Sequence, residues 1–358
     1  MSRRLAAAVT ALATVALAAV PAAHAASVET VATGLDNPRG VAVAPDGAVY
    51  VANAGRAGTK CIGKGQDKTC LGTTGRIVRV AGGKVSTVAS GIISAGGPGG
   101  VFATGADGVS VDPTGKVFTV TTSGPPQLVK TLPKFARAQA GRLFDVTGGN
   151  LSAVARIDQI EWKQNLDNIK GDRNSNPYAV LALADRQIVV DAGANAVLEV
   201  RNGTVSVLAV IPKNGKSQPV PTSIAQGPNG DFYVGELAEG AGKGKARVWR
   251  IPAAGGTPQV FATGFTAITG VAFGPDGSLF VTEFARNFRK EDLRGTVVRV
   301  APDGTRTRLG GKKLLAPTGA AVDSTGAVYV SNFSVLPRKT PKKSPFKGAG
   351  GTLVKITP

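Results

Sequence analysis

Six residues able to do chemistry recur at one place in a repeated phrase: Asn53, Thr121, Asp191, Glu236, Glu283 and Asn332. Each stands six residues after the turn position of its phrase, at the predicted end of a strand. Carboxylates and amides held at one level, one per repeat, suit an oxygen cage for a hard cation such as calcium. Asp191, Glu236 and Glu283 would be its ligands, and the metal would polarise a carbonyl or activate water with one carboxylate as base. The same residues would equally serve as loop caps, accepting backbone N–H groups at strand ends. A second set stands eight residues before each turn position: Arg39, Asp107, Pro177, Thr222, Thr269 and Thr318. One acid, one base and three hydroxyls suit a small polar ligand in an axial channel better than a metal.

Absences narrow the chemistry further. The chain has one histidine, His24, and it lies in a leader-like segment. Arg3 and Arg4 precede the apolar run Leu5–Val20, and Ala23-His24-Ala25 fits a small-residue cleavage site, the pattern of a signal peptide. Residues 1–25 are therefore expected to be removed and the rest exported. A mature chain without histidine has no Ser-His-Asp or Cys-His mechanism and no imidazole metal site. Cys61 and Cys70 stand with eight residues between them in a Gly/Lys-rich loop. In an exported chain they read as a disulfide. Having few apolar residues, this loop is expected to lie outside the sheets and to be extended.

The elements that must position these residues follow from the phrase itself. GVAVAPDGAVYVANA at Gly40, GVSVDPTGKVFTVTT at Gly108 and GVAFGPDGSLFVTEF at Gly270 each read as strand, turn, strand. SIAQGPNGDFYVGEL at Ser223 and GAAVDSTGAVYVSNF at Gly319 repeat the pattern, and YAVLALADRQIVVDA from Tyr178 is a degenerate copy lacking the glycine. A third strand follows each, as in GRIVRV and GTVVRV, and tight turns lead to a fourth. Four antiparallel strands, six times, predict an all-β fold, a six-bladed β-propeller occupying residues 26–358 as one domain. The last unit stops after its third strand, whereas SVETVATG at Ser27 is a fourth strand with no blade before it. Pairing the two closes the ring and removes an open edge. Tyr50, Phe118, Ile188, Tyr233, Phe280 and Tyr329 fall at one equivalent position and are expected in the core.

Without the leader, 40 Lys and Arg face 23 Asp and Glu, a formal +17. The loops joining second and third strands emerge on one face and hold eighteen cations against four anions. Lys60, Lys64, Lys68, Arg286, Arg289, Lys290, Arg338, Lys339, Lys342 and Lys343 are among them. So lopsided a distribution attracts anions, and the expected partner is an anionic small molecule or cell-envelope polymer. Few aromatics are available to stack bases, which disfavours nucleic acid.

GLDNPRGVAVAPDGAVYVANAG, NPYAVLALADRQIVVDAGANAVLEV, VPTSIAQGPNGDFYVGEL and AFGPDGSLFVTEF together resemble the ScyD/ScyE family of exported, NHL-like propellers. The resemblance spans nearly all of the mature chain, and it implies a six-bladed fold without an established reaction. The charge concentrated in one set of loops favours an exported binding scaffold, with a calcium-assisted hydrolase or lyase as the alternative. Regucalcin-like gluconolactonases hold calcium with acids and amides at the start of the first strand. The corresponding positions here contain one acid, Asp107.

Overall fold

The computed structural model describes residues 26–65, 68–215, 217–343 and 346–358. The signal-peptide expectation for residues 1–25 lies outside them. The repeated turn has a simple physical basis. Asp46, Asp112, Asp276 and Asp323 each accept the backbone N–H two residues on, at 2.8–3.0 Å. The following glycine takes positive φ, 78° at Gly47 and 85° at Gly326, a conformation that costs glycine little.

Six antiparallel sheets result. Pro38–Val43, Val49–Asn53, Thr69–Ala81 and Lys84–Gly96 form blade 1, with Lys60–Ile62 added to it. Blade 2 begins at Ala106, blade 3 at Pro177, blade 4 at Pro221 and blade 5 at Ile268. Blade 6 combines Thr318–Val322, Val328–Asn332 and Gly351–Thr357 with the N-terminal strand Ser27–Leu35. Val28 pairs with Ile356 and Ala32 with Leu353, so hydrogen bonds between the two ends close the ring.

The core is divided among the seams between blades. Ile77 and Ile92 of blade 1 pack with Val109 and Phe144 of blade 2. Phe118 and Leu143 meet Val189 and Leu198 across the next seam. The remaining seams follow suit, ending with Leu35 and Leu353 against Val51 and Val78. Near the axis the first strands approach so closely that Gly40 and Gly270 have no room for a side chain. A Cβ on Gly270 would lie 2.4 Å from the Gly319 carbonyl oxygen, and one on Gly40 would lie 3.0 Å from the Gly108 Cα.

Two local expectations are corrected. The cysteine loop is not outside the sheets: Lys60–Ile62 pairs with Thr69–Leu71, and Cys70 and Leu71 pair in turn with Gly96 and Ala95. Cys61 and Cys70 stand opposite one another and are disulfide-bonded, and Cys70 is buried. Strand pairing here satisfies backbone groups and needs no apolar content. Replacing both cysteines by serine is therefore expected to lower global stability by about 2–3 kcal/mol, read as the denaturant midpoint. An unchanged midpoint would show that this ribbon melts independently of the ring.

The polar run 161–177 before blade 3 reads from its sequence as a surface excursion, but its first residues are built into the fold. Asp158–Gln164 is a helix, with Asp158 and Glu161 buried. Glu161 accepts the Leu166 N–H at 2.8 Å, and Trp162 donates to the Gly124 carbonyl at 3.1 Å.

Candidate functional site

Asn53, Thr121, Asp191, Glu236, Glu283 and Asn332 are each the last residue of a second strand. Four of them fasten the segment leading into their own blade. Asn53 accepts from the Asp36 N–H, Asp191 from Asn176, Glu283 from Thr266 and Asn332 from Leu315, at 2.7–3.0 Å. Asp191 also takes the Ser175 hydroxyl and the N–H groups of Gly193 and Ala194. Glu236 is occupied by Arg247 and the Trp249 indole N–H, and Glu283 by Arg308 as well. The proposed metal ligands Asp191, Glu236 and Glu283 are thus each consumed within the fold. Among the described residues no group of three or more His, Cys, Asp or Glu is placed to hold a metal ion.

Arg39, Asp107, Thr222, Thr269 and Thr318 all line a narrow axial channel of about 50 Å³. Thr222 donates to the Ile268 carbonyl of blade 5 at 2.6 Å, and Thr269 to Pro317 beside blade 6 at 2.9 Å. Thr318 donates to Pro38 of blade 1 at 3.2 Å. The hydroxyl protons therefore stitch successive blades together. What remains is one carboxylate in the field of a guanidinium. Calcium takes six to eight oxygens with several carboxylates among them, and this donor set does not fit it.

Above the channel, on the face of the second-to-third-strand loops, a funnel of about 710 Å³ opens. Tyr178 and Arg39, shared with the channel, stand at its base, and Leu237, Phe284, Leu293, Val335, the exposed Phe102 and Phe288 and the carboxylate of Glu291 also line it. Phe102 is 54% exposed and Phe288 37%. Arg39 is buried and donates one terminal nitrogen to the Ala103 carbonyl at 2.6 Å. Its Nε is buried without a partner. Asp107, 0% exposed, accepts the Gly105 N–H through Oδ1 at 3.3 Å, while its Oδ2 has no partner. Burial pushes the Asp107 carboxyl up to about 6, with Arg39 opposing. Burial also raises the Tyr178 phenol, again against Arg39, so it remains a neutral donor. Buried polar atoms without partners are uncommon and call for an explanation. An acceptor supplied from the funnel would satisfy Arg39 Nε, whereas Asp107 Oδ2 calls for a donor or for its own protonation.

Tyr178, Phe102 and Phe288 were not among the residues singled out from the sequence. Tyr178 had a signal. It stands where the other phrases have Gly40, Gly108, Ser223, Gly270 and Gly319, so at this register position one blade alone carries a large side chain. The phenylalanines lie in loops between repeated phrases, where no register exists to align them.

The basic loops share the funnel's face, but not all of their charge is available. Arg338 binds Asp36 through its side chain and its backbone N–H. Arg286 and Arg294 share Asp292 at 3.3 and 2.7 Å. The Arg294 hydrogen bond is the main cause holding that carboxyl at about 2. Lys60, Lys64, Lys68, Arg289, Lys290, Lys339, Lys342 and Lys343 are exposed.

Residues 135–338 match the family model described as SMP-30/Gluconolactonase/LRE-like region. No curated protein matches the chain. Solved structures similar to it include a gluconolactonase from Xanthomonas campestris, at 10% identity over 92% of this chain and 89% of that one, with a TM-score of 0.54. A calcium-binding protein, regucalcin, from Agrobacterium tumefaciens strain C58 aligns at 15% identity over 91% and 93%, with a TM-score of 0.52. A streptogramin B lyase aligns at 12% identity over 93% and 97%, with a TM-score of 0.51. At these identities the likeness is one of fold.

Proposed function

Since the chain belongs to the SMP-30/gluconolactonase/LRE-like family but presents no group of metal-ligating side chains that fits calcium among the described residues, we propose that its axial funnel binds an amphipathic organic anion. The observation that carries this reading is the buried and unpartnered Arg39 Nε, on a residue that lines both the funnel and the channel beneath it. Arg39 receives the carboxylate head, the Tyr178 hydroxyl donates to it, and Phe284, Phe288 and Leu237 cover an apolar body. A volume near 710 Å³ is that of a small-molecule site. The exposed lysines of the same face draw anions towards the mouth and give association a strong salt dependence. Export, as the leader implies, and kinship with ScyD/ScyE propellers, as the quoted phrases imply, belong to the same proposal. An anionic envelope polymer is accommodated only through a terminal acidic group narrow enough to enter.

The experiment compares 2-naphthoate with 2-naphthyl alcohol. The acid is expected to bind and its neutral counterpart to bind far more weakly. Arg39→Gln is expected to lower affinity for the acid by roughly 10- to 100-fold, the worth of a charged hydrogen bond. Equal binding of acid and alcohol, or an Arg39→Gln variant as tight as wild type, would overturn the proposal. Affinity for the acid is further expected to rise as pH falls through about 6. Protonation of Asp107 removes a neighbouring negative charge and creates a donor. Asp107→Asn should bind the acid without that pH dependence.

One observation favours a second reading, a hydrolase or lyase: an aspartate pushed up to about 6, in the channel that continues the funnel, suits proton transfer. Turnover of a bound ester or lactone that disappears in Asp107→Asn while naphthoate binding persists would establish it.

A further inference from the structure

Three guanidiniums converge on the single carboxylate of Asp36, which lies between the N-terminal strand and blade 1 and is 1% exposed. Arg338, from blade 6, takes both carboxylate oxygens and also donates its backbone N–H at 2.8 Å. Arg56 and Arg76, from blade 1, stop short of hydrogen-bond distance. Arg56 Nε stands 3.8 Å from Oδ1, and an Arg76 terminal nitrogen 3.7 Å from Oδ2. Arg76 reaches the Gly34 carbonyl at 3.2 Å, and its Nε is buried without a partner. One negative charge is therefore set against three positive ones, and its hydrogen-bonding capacity is taken by one of them. Like charges held this close repel unless a counter-charge is supplied.

We propose that Arg56 and Arg76 form a site for a tetrahedral oxyanion, a sulfate or phosphate group, seated over the Asp36–Arg338 pair at the seam where the ring closes. The two guanidiniums present planar donor forks, and such forks match the edges of a tetrahedral anion. Arg56 is half exposed and Arg76 is 22% exposed, so the anion approaches from solvent and meets donors partly withdrawn from water. Burial, together with Arg338 and Arg56, holds the Arg76 guanidinium below its usual value. A bound anion would relieve that repulsion. Because Arg56 and Arg76 belong to blade 1 and Arg338 to blade 6, the anion would also brace the closure. The site is independent of the funnel, whose Arg39 has no contact with this cluster among the hydrogen bonds and ion pairs described.

The test is thermal unfolding of the full chain in sodium sulfate against sodium chloride at matched ionic strength. Sulfate is expected to raise the midpoint saturably. Arg56→Gln is expected to increase the half-saturating sulfate concentration about ten-fold or more, and Arg56→Lys to restore part of the response. The double variant Lys342→Gln, Lys343→Gln should respond as wild type does. Arg56 is exposed enough for its variant to fold even where Arg76→Gln does not. Dextran sulfate, run in parallel, distinguishes the source of the group. A response to inorganic sulfate indicates a free ion, and an Arg56-dependent response to the polymer alone indicates a sulfate ester on a chain. Arg56→Gln responding like wild type, or an equal loss in the lysine variant, would overturn the proposal. 2-Naphthoate binding should be unchanged in Arg56→Gln, which keeps this result separate from that of the funnel.

Discussion

Removal of Ser27–Gly34 is expected to destabilise the protein by about 5 kcal/mol, at about 1 kcal/mol net for each backbone hydrogen bond lost. The deleted strand pairs in register with Gly351–Thr357 from Ser27 opposite Thr357 onward. Without it, blade 6 keeps three strands and exposes the edge of the third. Ala32, buried in the cluster that joins blade 6 to blade 1, is lost as well. Deletion would also leave Leu35 and Leu353, both fully buried, at an unsupported seam. Differential scanning calorimetry should show the melting temperature falling by roughly 7 °C, with aggregation following from the open edge. A truncated protein with an unchanged transition would show that the ring holds without this strand.

Asp107→Asn is expected to act in the opposite direction, stabilising the protein at neutral pH by about 3 kcal/mol. The carboxyl is pushed up to about 6 in the folded protein, from an ordinary 3.8, chiefly by burial. A carboxylate raised on folding contributes stability that is fully present below pH 3.8 and is lost as pH rises through about 6. Wild type therefore carries the whole cost above pH 7, and asparagine, which imitates the protonated acid, carries none of it. The two proteins should have similar stability near pH 3.5 and diverge between pH 4 and 7. A constant offset across that range would show that Asp107 is satisfied when ionised. Retaining a destabilising charge in the channel beneath the funnel fits a site kept for binding rather than for stability.

The blades were legible because turn chemistry and alternation repeat together. The Asp and Gly of GPDG act within four residues, and Phe280 and Tyr233 lie at equivalent places in register. The same register located Arg39 and Asp107 at the axis, and it placed Asp191 and Glu283 at strand ends. It could not say where those side chains turn. That depended on N–H groups such as those of Asn176 and Thr266, contributed by the preceding connection. The cysteine loop was misjudged for a related reason. Composition predicts burial, whereas the pairing of Lys60–Ile62 with Thr69–Leu71 is a backbone event. The funnel rim, Phe102 and Phe288, depends on loops brought together only when the ring closes.

The division of the core among seams has a kinetic consequence. Five seams join stretches that follow one another along the chain, so each can form soon after its two blades exist. The sixth joins Leu35 to Leu353 and their neighbours, nearly the whole length of the polypeptide apart. Forming that contact first would cost roughly 5 kcal/mol in loop entropy. After the other blades have stacked, curvature delivers the ends to one another and most of that cost has already been met. Folding should thus proceed as sequential zipping with a late latch, and the first strand of the ring must wait, unpaired, for the last. Anything that ties up Ser27–Leu35 in the meantime, an early non-native strand partner above all, sets the rate at which closed rings appear.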